Sequence, residues 1–424
     1  MTCEISIMNR QAIALAADSA TTVREWIGGQ EQTRFFKGAN KIFQLSNSHP
    51  VGAMIFGSAN LHEVPWELIV KDFRTELGMK SFDDLKSYAQ HLFNFIKRHA
   101  LFPAACQFTV CKNEITKAAL IYCYYLSQHD RMKNAASQMD KEDACRTLID
   151  SDYQRLAAAP IPKQLIQLDI NHIAASCRAS AKDQIEAAIV QLNLGAKIDL
   201  VRLTELAILI VCKEYSRTLA STGVVVAGFG DKDYFPGYEE YTCYGLLMGK
   251  FLFENTESQR INLNDSPSHI KPFATTAMVD TFVIGCSPDV FVEVNNQFRA
   301  ALKALSDKIM GELGINTVPN LANHIQSVFD EHSRNWFNNA LAAHGWPLRR
   351  VIGSLPVEEM AELAETLIML QSLKEKVTQP TESVGGPVDV AVITRGDGFI
   401  WIKRKHYFSP ELNPRFFARQ NKSS

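Results

Sequence analysis

The residue whose position most invites chemistry is Thr2. A threonine hydroxyl is a weak nucleophile that needs a neighbouring base. An N-terminal α-amine, with a pKa of about 8, can be that base. The sequence opens Met1-Thr2-Cys3-Glu4, and methionine aminopeptidase removes an initiator methionine when the next residue is small. Thr2 is therefore expected to begin the mature chain, with no propeptide to cleave. Two further charged residues stand where apolar runs stop or start, Asp18 after Ala12 to Ala17 and Lys41 at the head of the 41–45 run. Taken singly, these read as a turn aspartate and a solvated lysine.

Other reactive patterns are missing. There is no G-x-S-x-G elbow and no Walker motif. Gly228-Phe229-Gly230 lacks the third glycine and following helix of a dinucleotide loop. The eleven histidines include no H-x-x-x-H pair, and the nine cysteines include no C-x-x-C. No metal and no cofactor are expected, and the thiols read as free groups in a reducing cytoplasm.

The elements that would hold these residues alternate in blocks. Glu4 to Met8 and Ala12 to Ala17 read as strands joined at Asn9-Arg10-Gln11, and Lys41 to Leu45 and Val51 to Phe56 as a second hairpin around Asn47-Ser48-His49-Pro50. Helical spacing follows over Val64 to Leu77 and Phe82 to Arg98, with Ser81 as the expected N-cap of the second. Residues from about 100 to 220 stay helical and are broken at Pro160 and Pro162. Strands are expected again at Gly223 to Gly230, Glu240 to Met248 and Met278 to Ile284. Helices then cover about Asp289 to Met310, Pro319 to His344 and Val357 to Lys376. A last hairpin, Pro387 to Thr394 and Phe399 to Lys403, turns at Arg395-Gly396-Asp397-Gly398. Sheets with helices gathered in two blocks predict an α+β fold of αββα layering.

Composition closes several classes. The chain has 424 residues, 46% hydrophobic and 21% charged, with 44 Lys and Arg against 46 Asp and Glu. That near-neutral balance gives no footprint for nucleic acid and no polybasic membrane segment. The Lys403-Arg404-Lys405 run is short. The N-terminus lacks the pattern of a secretory leader, and the most apolar long segment, Leu203 to Cys212, is too short to span a bilayer.

The segment from Thr2 to Thr22, with Ala16-Ala17-Asp18-Ser19 at the end of its second strand, resembles the opening of a proteasome β-subunit. Asn40-Lys41-Ile42-Phe43-Gln44-Leu45 resembles the strand that bears that family's catalytic lysine. Gly52 to Ala59 is similar to its glycine-rich strand end, and Gly385-Gly386-Pro387-Val388 to Thr394, after the Leu355 helix start, to its last strand. The resemblance is to the proteasome β-subunit and HslV-like N-terminal nucleophile (Ntn) hydrolases, of a bacterial type with large helical insertions. It implies a four-layer αββα sandwich and a threonine peptidase. Thr2 would attack, the Lys41 charge would favour its alkoxide, and Asp18 would orient Lys41. The backbone N–H near Gly57 would form the oxyanion hole, a group of donors worth about 3 kcal/mol each, and Thr22 would pair with the substrate main chain.

Departures from the family accompany these matches. Its supporting Asp-x-x-Ser is met by Pro380-Thr381-Glu382-Ser383-Val384, which lacks the aspartate and displaces the serine to Ser383. Its serine after Val-Gly is met by Cys286, with Ser287 next. Phe56 replaces a glycine beside the oxyanion donor, which tightens the pocket. The chain is also longer than a family core. We read a single domain over 1–424, with core at about 1–99, 221–309 and 351–410 and helical insertions at about 100–220 and 310–350. The Leu203, Leu206 and Ile210 stripe of the first insertion reads as core or subunit contact. The expected partners are peptide or unfolded protein as substrate, further copies of the chain in a homo-oligomer, and a separate ATPase. Two other functions fit the pattern: a non-catalytic proteasome-like scaffold, and a small-molecule Ntn amidase.

Overall fold

The computed structural model describes residues 2–27, 30–165, 182–195, 198–264, 267–378 and 384–420. Among the described residues the strands are β1 Cys3–Asn9, β2 Ala12–Ala17, β3 Ala20–Ile27, β4 Gln30–Lys37, β5 Ile42–Gln44, β6 Val51–Gly57, β7 Asn60–Leu61, β8 Val64–Pro65, β9 Thr222–Gly228, β10 Gly237–Leu247, β11 Lys250–Arg260, β12 Ser268–Ala274, β13 Asp389–Thr394 and β14 Gly398–Lys403. Ten of them form two five-stranded antiparallel sheets, in the orders β12-β1-β2-β13-β14 and β11-β10-β9-β6-β5. The fold is α+β.

Side-chain alternation decides what each sheet face touches. On β1 and β2, Ile5, Ile7, Ala12, Ala14 and Ala16 meet Met360, Ala364 and Leu367 of the Val357–Thr378 helix. Met8, Ile13, Leu15 and Ala17 turn the other way, onto Met54, Val225 and Ala227 of the second sheet. The far face of that second sheet packs Ala53, Ile55, Val224 and Val226 against the Trp66–Leu77 and Leu85–Arg98 helices. Both faces of the central strands are thus dry, which is why β1, β2 and β9 are buried along their whole length and do not read as polar-apolar alternation.

Local chemistry sets the turns. Asn9 closes the β1–β2 hairpin, its Oδ1 accepting from the Gln11 N–H at 2.9 Å. Its Nδ2 donates to the Ile352 and Leu355 carbonyls. The second helix is capped by Asp84, whose carboxylate accepts from the Ser87 N–H at 2.8 Å, and not by Ser81. Ser81 instead hydrogen-bonds Asp231. Asp84 wins because its acceptor is already charged at the helix's positive end.

Met278 to Ile284 is not a strand. It is the Ala277–Ile284 helix, closed by Gly285 at φ +75°. A short apolar run carries no period that separates the two states, and a left-handed glycine after it is a helix stop. The β3–β4 hairpin, β11 and β12 are additional to the elements expected. β12 carries Pro272 and the charged Lys271, which an edge strand tolerates.

Helices Ala104–Gln128, Gln138–Ala158 and Leu200–Lys213 have a separate core, seated on Leu247 and Leu252. Leu203 and Leu206 lie inside that core, with Ile210 at its margin. Helices Pro288–Leu313 and Leu321–Ala340 form an antiparallel pair touching through Phe291–Trp336 and Phe298–His332. Among the described residues no helix is long and apolar enough to cross a membrane.

Candidate functional site

Asp18 is the hub of the site. It follows β2, beside the start of β1, and its N–H donates to the Cys3 carbonyl at 3.1 Å. Its Oδ1 accepts from the Cys3 N–H at 3.1 Å and from the Lys41 ammonium. Its Oδ2 accepts from the Gly385 N–H at 2.8 Å and the Ala20 N–H at 3.3 Å. One carboxylate therefore ties together both ends of the chain, the β2 end and the lysine before β5. Charge-assisted bonds of this kind are the strong ones, and four of them hold the group rigidly.

Thr2 stands at the head of β1, its carbonyl accepting from the Thr275 N–H at 3.1 Å. Its hydroxyl donates to Glu4 Oε2 at 3.2 Å. Glu4 Oε1 lies 3.1 Å from Lys41 Nζ, an ion-pair contact off the line of a hydrogen bond. Lys41 is thus held between two carboxylates. Thr2, Glu4, Asp18 and Lys41 are all buried, from 0% exposed for Glu4 to 9% for Thr2.

Burial raises the Glu4 pKa to about 7, and the Lys41 charge offsets only part of that rise. Burial works the other way on Lys41, but Glu4 and Asp18 outweigh it and hold the ammonium above its ordinary range. Lys41 is therefore a fixed cation and not a proton acceptor at neutral pH. The Cys3 thiol is pushed up by burial and by the nearby Glu4 and Asp18, so it stays protonated and unreactive.

Gly57 ends β6 at φ +80°, and a Cβ there would meet the Ser221 carbonyl at 3.2 Å. Only glycine takes that conformation without strain. The ladder also aims its amide. Ile55 N–H donates to the Lys41 carbonyl and Ser58 N–H to the Ser221 carbonyl. By antiparallel alternation, Gly57 N–H then points away from β9, to the side of β6 where Lys41 lies. Phe56 turns between the sheets, its ring over Gly223 and 5.5 Å from Phe273, so it packs as core. Gly386, at φ +82°, lies against Ser19, whose hydroxyl donates to the Pro387 carbonyl at 2.8 Å.

The remaining expected residues lie on other elements. Thr22 is on β3, paired with Phe35 of β4. Cys286 and Ser287 lie in the turn between the Ala277–Ile284 and Pro288–Leu313 helices, where Ser287 bonds Asp289. No hydrogen bond among the described residues links either to Thr2. Ser383 lies outside the described residues. A cavity of about 270 Å³ beside the β6 end is lined by Ser58, Asn60, His62, Glu114, Thr222 and Leu246, and not by Thr2, Asp18 or Lys41.

Glu4 is the site residue that the pattern of motifs did not single out. The signal was present: on a strand whose every residue is buried, Glu4 falls on the same face as Met8, and a carboxylate in that position needs a cationic partner. Neither the protein-family models nor the curated proteins searched with this sequence gave a match.

Proposed function

We propose that this chain is a threonine hydrolase of the proteasome-like Ntn type, built as a four-layer αββα sandwich and cleaving peptide amide bonds. One observation carries the reading. The Cys3 and Gly385 N–H groups and the Lys41 ammonium, far apart in sequence, converge on the buried Asp18 carboxylate, and Glu4 joins that Lys41 to the Thr2 hydroxyl. In this reading, loss of Met1 makes Thr2 the first residue of the working chain, with its hydroxyl as the nucleophile. The hydroxyl adds to the scissile carbonyl, and the fixed Lys41 charge stabilises the oxygen as its proton leaves. Asp18 keeps Lys41 in place. Gly57 N–H is the donor to the developing oxyanion. The leaving amine departs protonated, and water releases the acyl group from Thr2. Substrates are peptides or unfolded protein, and the working particle is a homo-oligomer served by a separate ATPase.

Hydrolysis of a fluorogenic peptide and of casein tests this directly. The wild-type protein cleaves, and Thr2→Ala, with the same melting curve, does not. Undiminished cleavage by Thr2→Ala removes the proposal. A second reading, a non-catalytic scaffold of the same fold, is favoured by the low exposure of Thr2. It predicts that wild type and Thr2→Ala are equally inert and assemble alike.

A further inference from the structure

We propose that Glu4 is the general base for Thr2, taking the hydroxyl proton directly through the contact its carboxylate already makes; this rests on Thr2 being the nucleophile. A base must lie within hydrogen-bond reach of the proton it takes, about 2.6–3.2 Å between heavy atoms. Glu4 Oε2 meets that condition at 3.2 Å. Lys41 is a protonated cation between two carboxylates and cannot accept. Asp18 has both oxygens occupied, by the Cys3 N–H and Lys41 on one side and the Ala20 and Gly385 N–H groups on the other. Glu4 Oε1 faces Lys41 Nζ at 3.1 Å, and Oε2 has the Thr2 hydroxyl as its hydrogen-bond donor.

The setting tunes the group for the task. Glu4 pairs with Ala17 on β2 and with Phe273 on β12, so its strand neighbours are apolar. The charged and titratable groups that face it are Lys41 and Asp18, with the Thr2 hydroxyl between. Its proton affinity, near neutrality at about 7, suits a residue that must both take and return a proton. The cycle balances. The Thr2 Oγ–H proton passes to the Glu4 carboxylate as Oγ bonds to the carbonyl carbon. Glu4 returns that proton to the leaving nitrogen as the C–N bond breaks. A water then gives its proton to Glu4 as it attacks the ester, and Thr2 Oγ recovers it when the acid is released. An amide and a water become an acid and an amine, and Glu4 ends as a carboxylate.

The test is the rate at which a β-lactone acylates Thr2, followed by intact mass from mildly acidic to mildly alkaline pH. The wild-type rate should rise with a midpoint near the Glu4 value of about 7. Glu4→Gln, equal in size, should react about 10²–10⁴-fold more slowly and lose that limb. Glu4→Asp, which keeps a shorter carboxylate, should retain the limb at a reduced rate, and it carries the test if the glutamine variant fails to melt cooperatively. Carboxyl ¹³C NMR gives a reading apart from activity: one glutamate titrating near neutrality in wild type and Thr2→Ala, and missing in Glu4→Gln. Wild-type rate and pH limb in Glu4→Gln would overturn the role of Glu4 while leaving Thr2 as nucleophile. A wild-type protein that is never acylated would remove the nucleophile reading and this one with it.

Discussion

The two ends of β1 and the helix pair at 288–340 are opposite solutions to the same chain's chemistry. Around β1, polar groups are buried and every charge has a partner: Lys41 between Glu4 and Asp18, and Asp18 with four donors. In the Pro288–Leu313 and Leu321–Ala340 helices, Asn295 and Ala340 are the only buried residues, while Val292, Leu305 and Leu313 are more than half exposed. Packed, dehydrated surroundings make charge–charge contacts strong and their loss expensive. The helix pair rests on a few ring contacts and one Asn295–Ser333 bond. Buried contacts are therefore concentrated in the sheets, and the helix pair should tolerate change.

Removing the shared cation should have the largest effect. Lys41→Met leaves Glu4 and Asp18 facing each other without a counter-charge, a loss of about 3–5 kcal/mol for a broken buried pair. Urea unfolding should report it, together with loss of Thr2 reactivity. Next comes a direct contrast between the regions. Leu15→Ala, at a fully buried site between the sheets, should cost about 2–5 kcal/mol. Leu305→Ala, 55% exposed on the helix pair, should stay within about 0.5 kcal/mol of wild type. Equal losses at the two positions would break the comparison.

A smaller effect sharpens it through pH. Glu4 binds its proton more tightly folded than unfolded, so its stabilising contribution is complete below the ordinary carboxylate value of 4.5 and is lost as pH rises through about 7. Glu4→Gln cannot ionise and escapes that loss. Relative to wild type it should gain about 1–3 kcal/mol on going from acid to mildly alkaline pH, measured by denaturant melts. A flat difference would show that Glu4 keeps an ordinary affinity in the fold. The smallest effect is local: Asp84→Ala should cost about 1 kcal/mol through the lost cap, while Ser81→Ala costs less.

Much of this arrangement was legible in the residues themselves. Apolar runs marked β1, β2, β6, β9 and β13, because strands buried on both faces read as continuous hydrophobic segments. Thr2, Asp18 and Lys41 were legible through their order around those runs, and the structure brings them into one cluster. Gly57 needed its glycine, as the positive φ shows. What was missed lay where pattern is weakest. β11 and β12 are edge strands with charged and polar residues, so they carry no clean alternation. Met278 to Ile284 is apolar throughout, and nothing in such a run distinguishes helix from strand. Glu4 was hidden because its meaning lies in a partner 37 positions away, at Lys41, that only the sheet packing brings to it.

If Thr2 is an activated nucleophile, intact mass spectrometry of the purified protein with and without a β-lactone should show loss of Met1 and a single adduct that maps to Thr2. A chain that keeps its Thr2 unmodified under the same treatment would contradict that role of Thr2.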